Sequence, residues 1–132
     1  MSQILEDLKY TKSHEWIKID GDIAIIGITD FAQHSLGDIV YLDIKDINEK
    51  IEVGESLGTI ESVKAAEDIY APISGVIAEK NEEVIQSPEK INQNPYESWI
   101  LKIKDFNKED LNRLLSSKEY KEYVDSLEQH ED

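Results

Sequence analysis

Thr59-Ile60-Glu61-Ser62-Val63-Lys64-Ala65-Ala66-Glu67-Asp68-Ile69-Tyr70-Ala71-Pro72 reads as two strands meeting near one lysine. Apolar and polar residues roughly alternate up to Val63, small residues follow, and an apolar run resumes at Ile69 before Pro72 and Ser74-Gly75 punctuate it. No Asn-Gly or Asp-Gly marks the turn, so the pairing rests on periodicity. Taken by itself, a lysine at such a turn is a solvated side chain, and composition gives Lys64 no other role.

Working outward from that stretch, Ile17-Lys18-Ile19 alternates as a half-buried strand, Asp20-Gly21-Asp22 turns the chain, and Ile23 to Ile28 supplies the returning strand. Thr29 or Asp30 can cap a short helix through Leu36, with Asp30 and Gln33 at capping-box spacing and Gly37 as its end. Asp38 to Ile44 reads as a further strand, followed by a polar connection from Asp46 to Lys50 and a turn at Val53-Gly54-Glu55. Beyond the lysine, Gly75 precedes Val76-Ile77-Ala78, Ser87-Pro88 marks an irregular segment, and Trp99 to Lys104 closes the β-body. Short strands at regular spacing predict a barrel or a sandwich. The Gly21 hairpin and the Gly75 turn match loosely as corners of two β-halves.

The character of the chain changes after Lys104. Asn107 can cap a small helix whose face carries Leu111, Leu114 and Leu115. Ser117 can cap a second one bearing Tyr120, Tyr123, Val124 and Leu127, with fraying expected from Glu128 to Asp132. The expectation is one domain over residues 1–132, with a β-body at about 8–104 and C-terminal helices at about 107–127.

With 14 Lys+Arg against 29 Asp+Glu, the formal charge is −15. Such a surface repels nucleic-acid phosphates and anionic lipid, so neither nucleic acid nor membrane is an expected partner. The absence of cysteine excludes disulfides, thiol catalysis and thiolate metal sites. There is no apolar run near the roughly 20 residues a bilayer requires, and Met1 to Asp7 has neither a basic n-region nor a transit composition. A soluble, cytoplasmic protein is the expectation. His14, His34 and His130 lack metal-ligand spacing, so no metal is expected, and His34 reads as a helix-surface residue. Trp16, Tyr41 and Trp99 read as core aromatics. No nucleophile, base and orienter constellation emerges, and no catalytic residue is assigned.

The order of motifs resembles the H protein of the glycine cleavage system. The resemblance runs through Tyr10-Thr11-Lys12-Ser13-His14-Glu15-Trp16, Gly27-Ile28-Thr29-Asp30-Phe31-Ala32-Gln33, Leu36-Gly37-Asp38-Ile39-Val40, Glu61-Ser62-Val63-Lys64-Ala65 and Tyr70-Ala71-Pro72-Ile73-Ser74-Gly75. It continues in Ile91-Asn92, Asn94-Pro95-Tyr96, Trp99 and Lys118-Glu119-Tyr120, covering roughly residues 8–125. It implies a mainly β, lipoyl-domain-like fold, a flattened barrel-sandwich hybrid with short peripheral helices and a C-terminal helical segment.

It also implies that (R)-lipoate is attached in amide linkage to Lys64, with Glu61, Ser62, Val63 and Ala65 read by the lipoate-attaching enzyme. An unperturbed lysine is an ammonium at pH 7, and freeing its amine costs about 4.6 kcal/mol. The attaching enzyme can bear that cost at its own site, so an anchor needs no burial, whereas a catalytic lysine would. The family's role is a non-catalytic shuttle. The arm takes the aminomethyl group of glycine from glycine decarboxylase (P protein) to aminomethyltransferase (T protein), and dihydrolipoamide dehydrogenase (L protein) reoxidises it. The cargo's amine can expel its thiolate partner and end as formaldehyde and ammonia unless it is kept protonated. The family's cleft residues match Ser13, Glu15 and Asp68, which makes Glu15 and Asp68 the expected pairing carboxylates. The plainer reading of both, as ordinary solvated carboxylates, stands beside this one.

The chain departs from the family in three places. Ser35 stands where plant-like members often have a histidine, with His34 one position earlier; Tyr96-Glu97-Ser98-Trp99 is shorter than usual, touching a hairpin corner; and Glu67 replaces a small polar residue. Biotinyl carriers set their lysine between methionines, whereas Val63 and Ala65 flank Lys64 and the only methionine is Met1. Lipoyl domains of 2-oxoacid dehydrogenases commonly have Asp before the lysine and long linkers, and neither appears. A lipoyl relay or regulatory scaffold, donating to other lipoyl-dependent proteins, is the alternative the residues leave open.

Overall fold

The computed structural model describes residues 2–129; the fraying expected up to Asp132, and His130, fall beyond Gln129, outside the described residues. The Asp20-Gly21-Asp22 turn joins the strands of the first hairpin. Glu15–Asp20 (β2) and Ile23–Ile28 (β3) pair antiparallel from Glu15↔Ile28 to Asp20↔Ile23, turning at Gly21-Asp22. Ile17 and Ile26 lie opposite each other in that register, and both are buried. Burying each such side chain contributes about 1.5–3 kcal/mol.

The other strands are Lys9–Tyr10 (β1), Ile39–Ile44 (β4), Lys50–Ile51 (β5), Ser56–Ser62 (β6), Ala66–Tyr70 (β7), Gly75–Lys80 (β8) and Leu101–Lys104 (β9). They form two antiparallel sheets: a six-stranded one ordered β1-β2-β3-β9-β8-β5 and a three-stranded one ordered β4-β6-β7. Ile17, Ile26, Ile77 and Ile103 of the first sheet share one apolar cluster with Leu42, Ile60 and Ile69 of the second. The mainly β sandwich is thus as expected, and the two sheets remain separate and do not close into a barrel. At Gly58 on β6, a Cβ would stand 2.0 Å from the Asp43 carbonyl oxygen of β4, so only glycine allows this approach of the strand that leads to Lys64.

Short helices surround the sheets. Thr29 caps Asp30–Leu36 (α1) by accepting from the Ala32 N–H, and Gly37 ends it at φ 78°. Asp30 is the first helical residue, not the cap, and it accepts from Gln33 Nε2 at 2.8 Å. The segment around Pro88, expected to be irregular, is two five-residue helices, Glu82–Gln86 (α2) and Glu89–Gln93 (α3). Each is barely one turn, too short to show helical periodicity. The helix expected after Asn107 is a 3-10 helix over Lys108–Arg113.

The last helix, Ser117–Glu128 (α4), begins one residue earlier than the expected cap implies. Ser116 accepts from the Glu119 N–H while Glu119 reaches back to the Ser116 N–H, completing a capping box. Its Tyr120 and Val124 form a second apolar cluster with Leu8, Tyr10 and Trp16, and Tyr120 stacks on Tyr10 at 4.5 Å.

Three smaller expectations change. Tyr41 is 50% exposed, not core; it lies on β4 with its ring outward. Tyr96 to Ser98 form a turn leading from α3 toward β9 and join no hairpin. Gly75 is no corner matching Gly21 but opens β8, paired with Ile51.

Candidate functional site

Between the paired residues Glu61 and Ala66 the chain reverses over Ser62 to Ala65. The turn lacks Asn-Gly because Ser62 does that chemistry. Its N–H donates to the Ala65 carbonyl at 2.7 Å, and its hydroxyl accepts from the N–H groups of Lys64 (3.3 Å) and Ala65 (3.1 Å). Outside the turn, the Val63 N–H donates to the Asp38 carbonyl at 3.0 Å, tying the tip to the segment that enters β4. Val63 is 70% exposed, and Lys64 and Ala65 are exposed with it. The aliphatic stem of Lys64 lies over Gly37, where a Cβ would be 3.5 Å from Lys64 Cε. Among the described residues Lys64 takes part in no ion pair.

Two residues beyond Lys64 an open cleft of about 530 Å³ begins. One wall is β7 with Ala66, Asp68 and Tyr70, and Thr59 lies opposite Asp68 in register; the other is the turn carrying Ser13 and His14. Of the three residues expected here, Ser13 and Asp68 line the cleft, with Asp68 exposed, while Glu15 lies behind the wall at 1% exposure. Glu15 Oε1 accepts from the hydroxyls of Thr11 and Ser13, both at 2.6 Å, and Oε2 accepts from the Tyr70 N–H at 3.4 Å. Burial pushes the Glu15 pKa up, and the three donors, Ser13 first, pull against it. Glu15 therefore meets the cleft through Ser13.

The same turn is braced from the far end of the chain. His14 has φ 72°, and its carbonyl accepts from the Thr29 N–H at 3.0 Å. Its Nδ1 is 2.8 Å from the Tyr120 hydroxyl, which is 2.7 Å from Thr29 Oγ1. Burial lowers the His14 pKa to about 4. Thr11, Tyr70, Thr29 and Tyr120 were not expected at the site. Thr11 stands beside Ser13 in the quoted motif, but the others reach it only through folding, across 55 residues for Tyr70–Glu15 and 106 for Tyr120–His14. His34 and Ser35 are exposed on α1 and do not line the cleft. No trio of His, Asp or Glu comes together as a metal site among the described residues, and no helix there is long and apolar enough to cross a membrane.

The family described as "Glycine cleavage H-protein" matches residues 8–127. The chain belongs to the glycine cleavage H-protein family. The glycine cleavage system H protein of Carboxydothermus hydrogenoformans is 51% identical over 126 residues, spanning 95% of this chain and 97% of the relative. That of Leptospira biflexa is 47% identical over 127 residues, spanning 96% and 98%. A crystal structure of a glycine cleavage system H protein from Mycobacterium marinum superposes with a TM-score of 0.80 at 34% identity, covering 93% of this chain and 98% of the other. The H-protein family thus accounts for the β-body and for the helices beyond it, since the match runs on into α4.

Proposed function

We propose that Lys64 carries lipoate in amide linkage and that the chain is the shuttle of a glycine cleavage system, not an enzyme itself. Its partners in this reading are glycine decarboxylase, aminomethyltransferase, dihydrolipoamide dehydrogenase and the lipoate-attaching enzyme. The observation that carries it is an exposed lysine, in no ion pair among the described residues, on a pinned turn with an open, carboxylate-bearing cleft starting two residues away. The residues fit the group: an anchor has to be reachable and need not be nucleophilic, and Lys64 is exposed. When attached, the lipoyl group supplies a disulfide that opens, carries one carbon unit with its amine, and closes again.

The chain's own part is positional. Ser62 and Asp38 hold the backbone of the turn so that the anchor points outward. Asp68, exposed at the cleft, is the carboxylate for a cationic amine, while Glu15, too buried to meet it, orients the Ser13 hydroxyl by taking its proton as a hydrogen bond. A protonated, paired amine has no lone pair with which to expel its thiolate. Residues 1–132 act in this reading as one carrier unit.

The experiment is intact mass after coexpression with lipoylating enzymes, followed by release kinetics on the aminomethyl-loaded carrier. The wild-type chain gains the mass of a lipoyl group and Lys64→Ala does not; no gain on the wild type overturns the carrier reading. Glu15→Ala with Asp68→Ala then releases formaldehyde faster than wild type, and equal rates overturn the cleft's protective role. Transfer of the lipoyl group to a dehydrogenase subunit would mark the relay instead.

A further inference from the structure

The lysine turn is held by a carbonyl that is itself held. Val63 donates to the Asp38 carbonyl, and the backbone groups on either side of Asp38 are both taken by one side chain. Asn92, on α3, accepts from the Ile39 N–H through Oδ1 at 2.9 Å and donates through Nδ2 to the Gly37 carbonyl at 2.8 Å. The second Nδ2 proton goes to Gln33 Oε1 at 3.0 Å.

These groups need a partner. Gly37 leaves α1 at φ 78° and ψ −155°, so its carbonyl joins no helical ladder, and the Ile39 N–H lies at the start of an edge strand, where Asn92 supplies its partner. Asn92 is the one side-chain type of its length offering an acceptor and two donors from a single planar group. Gly37 also underlies the stem of Lys64, so the segment Asn92 grips meets the turn twice: at Val63 through a hydrogen bond and at Lys64 through a contact.

We propose that Asn92 is a positioning residue that sets the height and direction of the Lys64 turn for the enzyme that modifies it. The proposal rests on the reading of Lys64 as the attachment site. With Asn92 present, the turn is presented in one conformation. Without it, the Gly37–Ile39 segment samples others and only a fraction of molecules offers the lysine correctly. An enzyme meeting such a mixture binds more weakly in proportion to the competent fraction, while the complex, once formed, reacts as before. The signature is a raised KM for the carrier with kcat unchanged.

The test compares Asn92→Ala, Asn92→Asp and the control Gln33→Ala, which removes the outer branch and the Gln33–Asp30 bond but leaves both Asn92 bonds to the Gly37–Ile39 segment. Hydrogen exchange is read at the Val63 amide and, as internal reference, at the Ile103 amide of β9, and lipoate attachment is followed with lipoate, ATP and a lipoate–protein ligase. Each unmade hydrogen bond is worth roughly two- to tenfold in an equilibrium. Asn92→Ala therefore speeds Val63 exchange about tenfold or more without an equal change at Ile103, and raises the carrier KM several-fold at constant kcat. Asn92→Asp does the same, because its second oxygen faces the Gly37 carbonyl without a proton to give. Gln33→Ala stays within about twofold of wild type.

Wild-type exchange at Val63 in both Asn92 variants overturns the proposal. So does a rise shared equally by Ile103, which would mean general loosening, and so does a fall in kcat at constant KM. If the wild-type chain takes up no lipoate, the attachment reading fails, and Val63 exchange alone decides whether Asn92 holds the turn.

Discussion

His14 combines a left-handed backbone, a ring 4.6 Å from that of Phe31 and a hydrogen bond to Tyr120. Burial takes its pKa from 6.5 to about 4. The unfolded chain therefore accepts a proton as pH falls through about 6.5, the folded chain only near 4, and this group removes stability as pH drops across that window. Glu15 has the opposite sign. With its pKa raised, the folded state holds the proton to a higher pH than the unfolded one, so its contribution is present in acid and lost as pH rises from the ordinary value of 4.5 through the raised one. The two slopes oppose each other, so each masks part of the other in the wild-type melting profile. His14→Asn separates them, since Asn tolerates the left-handed conformation and does not titrate. Its melting temperature falls less than that of wild type between pH 7 and pH 4.5; parallel profiles for the two proteins would show that His14 does not drive the acid sensitivity.

Among the elements, the strands were the most readable. The short alternation of Ile17-Lys18-Ile19, the Asp-Gly turn signal and the apolar run from Ile23 to Ile28 gave the β2–β3 hairpin, two six-residue strands joined by a two-residue loop. What stayed hidden was short or capped by neighbours. β5 is two residues long, α2 and α3 are five each, and adjacent serines at 116 and 117 compete as the cap of α4 on sequence alone. Geometry decides that competition for Ser116, the residue with the capping box. Ser116→Ala then costs about 1 kcal/mol in urea unfolding, while Ser117→Ala, one position inside the helix, stays near neutral. Equal losses from the two would place the cap wrongly.

At the scale of the molecule, two apolar clusters meet on a single strand: Trp16 belongs to the one that docks α4, and its neighbour Ile17 to the one between the sheets. They cannot separate without breaking β2. Urea unfolding followed by tryptophan fluorescence and by far-UV circular dichroism therefore gives coincident midpoints, and two resolved transitions would mean two independent units. The same distribution explains how far the site could be read. Lys64 and Ser13 stand in local motifs and Asp68 between two of them, so the resemblance could propose all three, and the fold brings Ser13 and Asp68 to one cleft. Tyr120, Tyr70 and Asn92 act through space on segments far away in sequence, and no periodicity or spacing points to such pairs.

The sheet that bears the lysine has only three strands, so β4 and β7 both end in open edges. Side chains from outside the sheet take up backbone groups of both strands: Asn92 on the Ile39 N–H and Lys80 on the Ile44 carbonyl of β4, and Glu15 on the Tyr70 N–H of β7. An unsatisfied strand edge is a template on which a second copy can stack. Here that ladder is interrupted on both flanks, and β7 adds the like charges of Glu67 and Asp68. The lysine turn is thus presented on a sheet whose edges offer a second copy no continuous ladder to stack on.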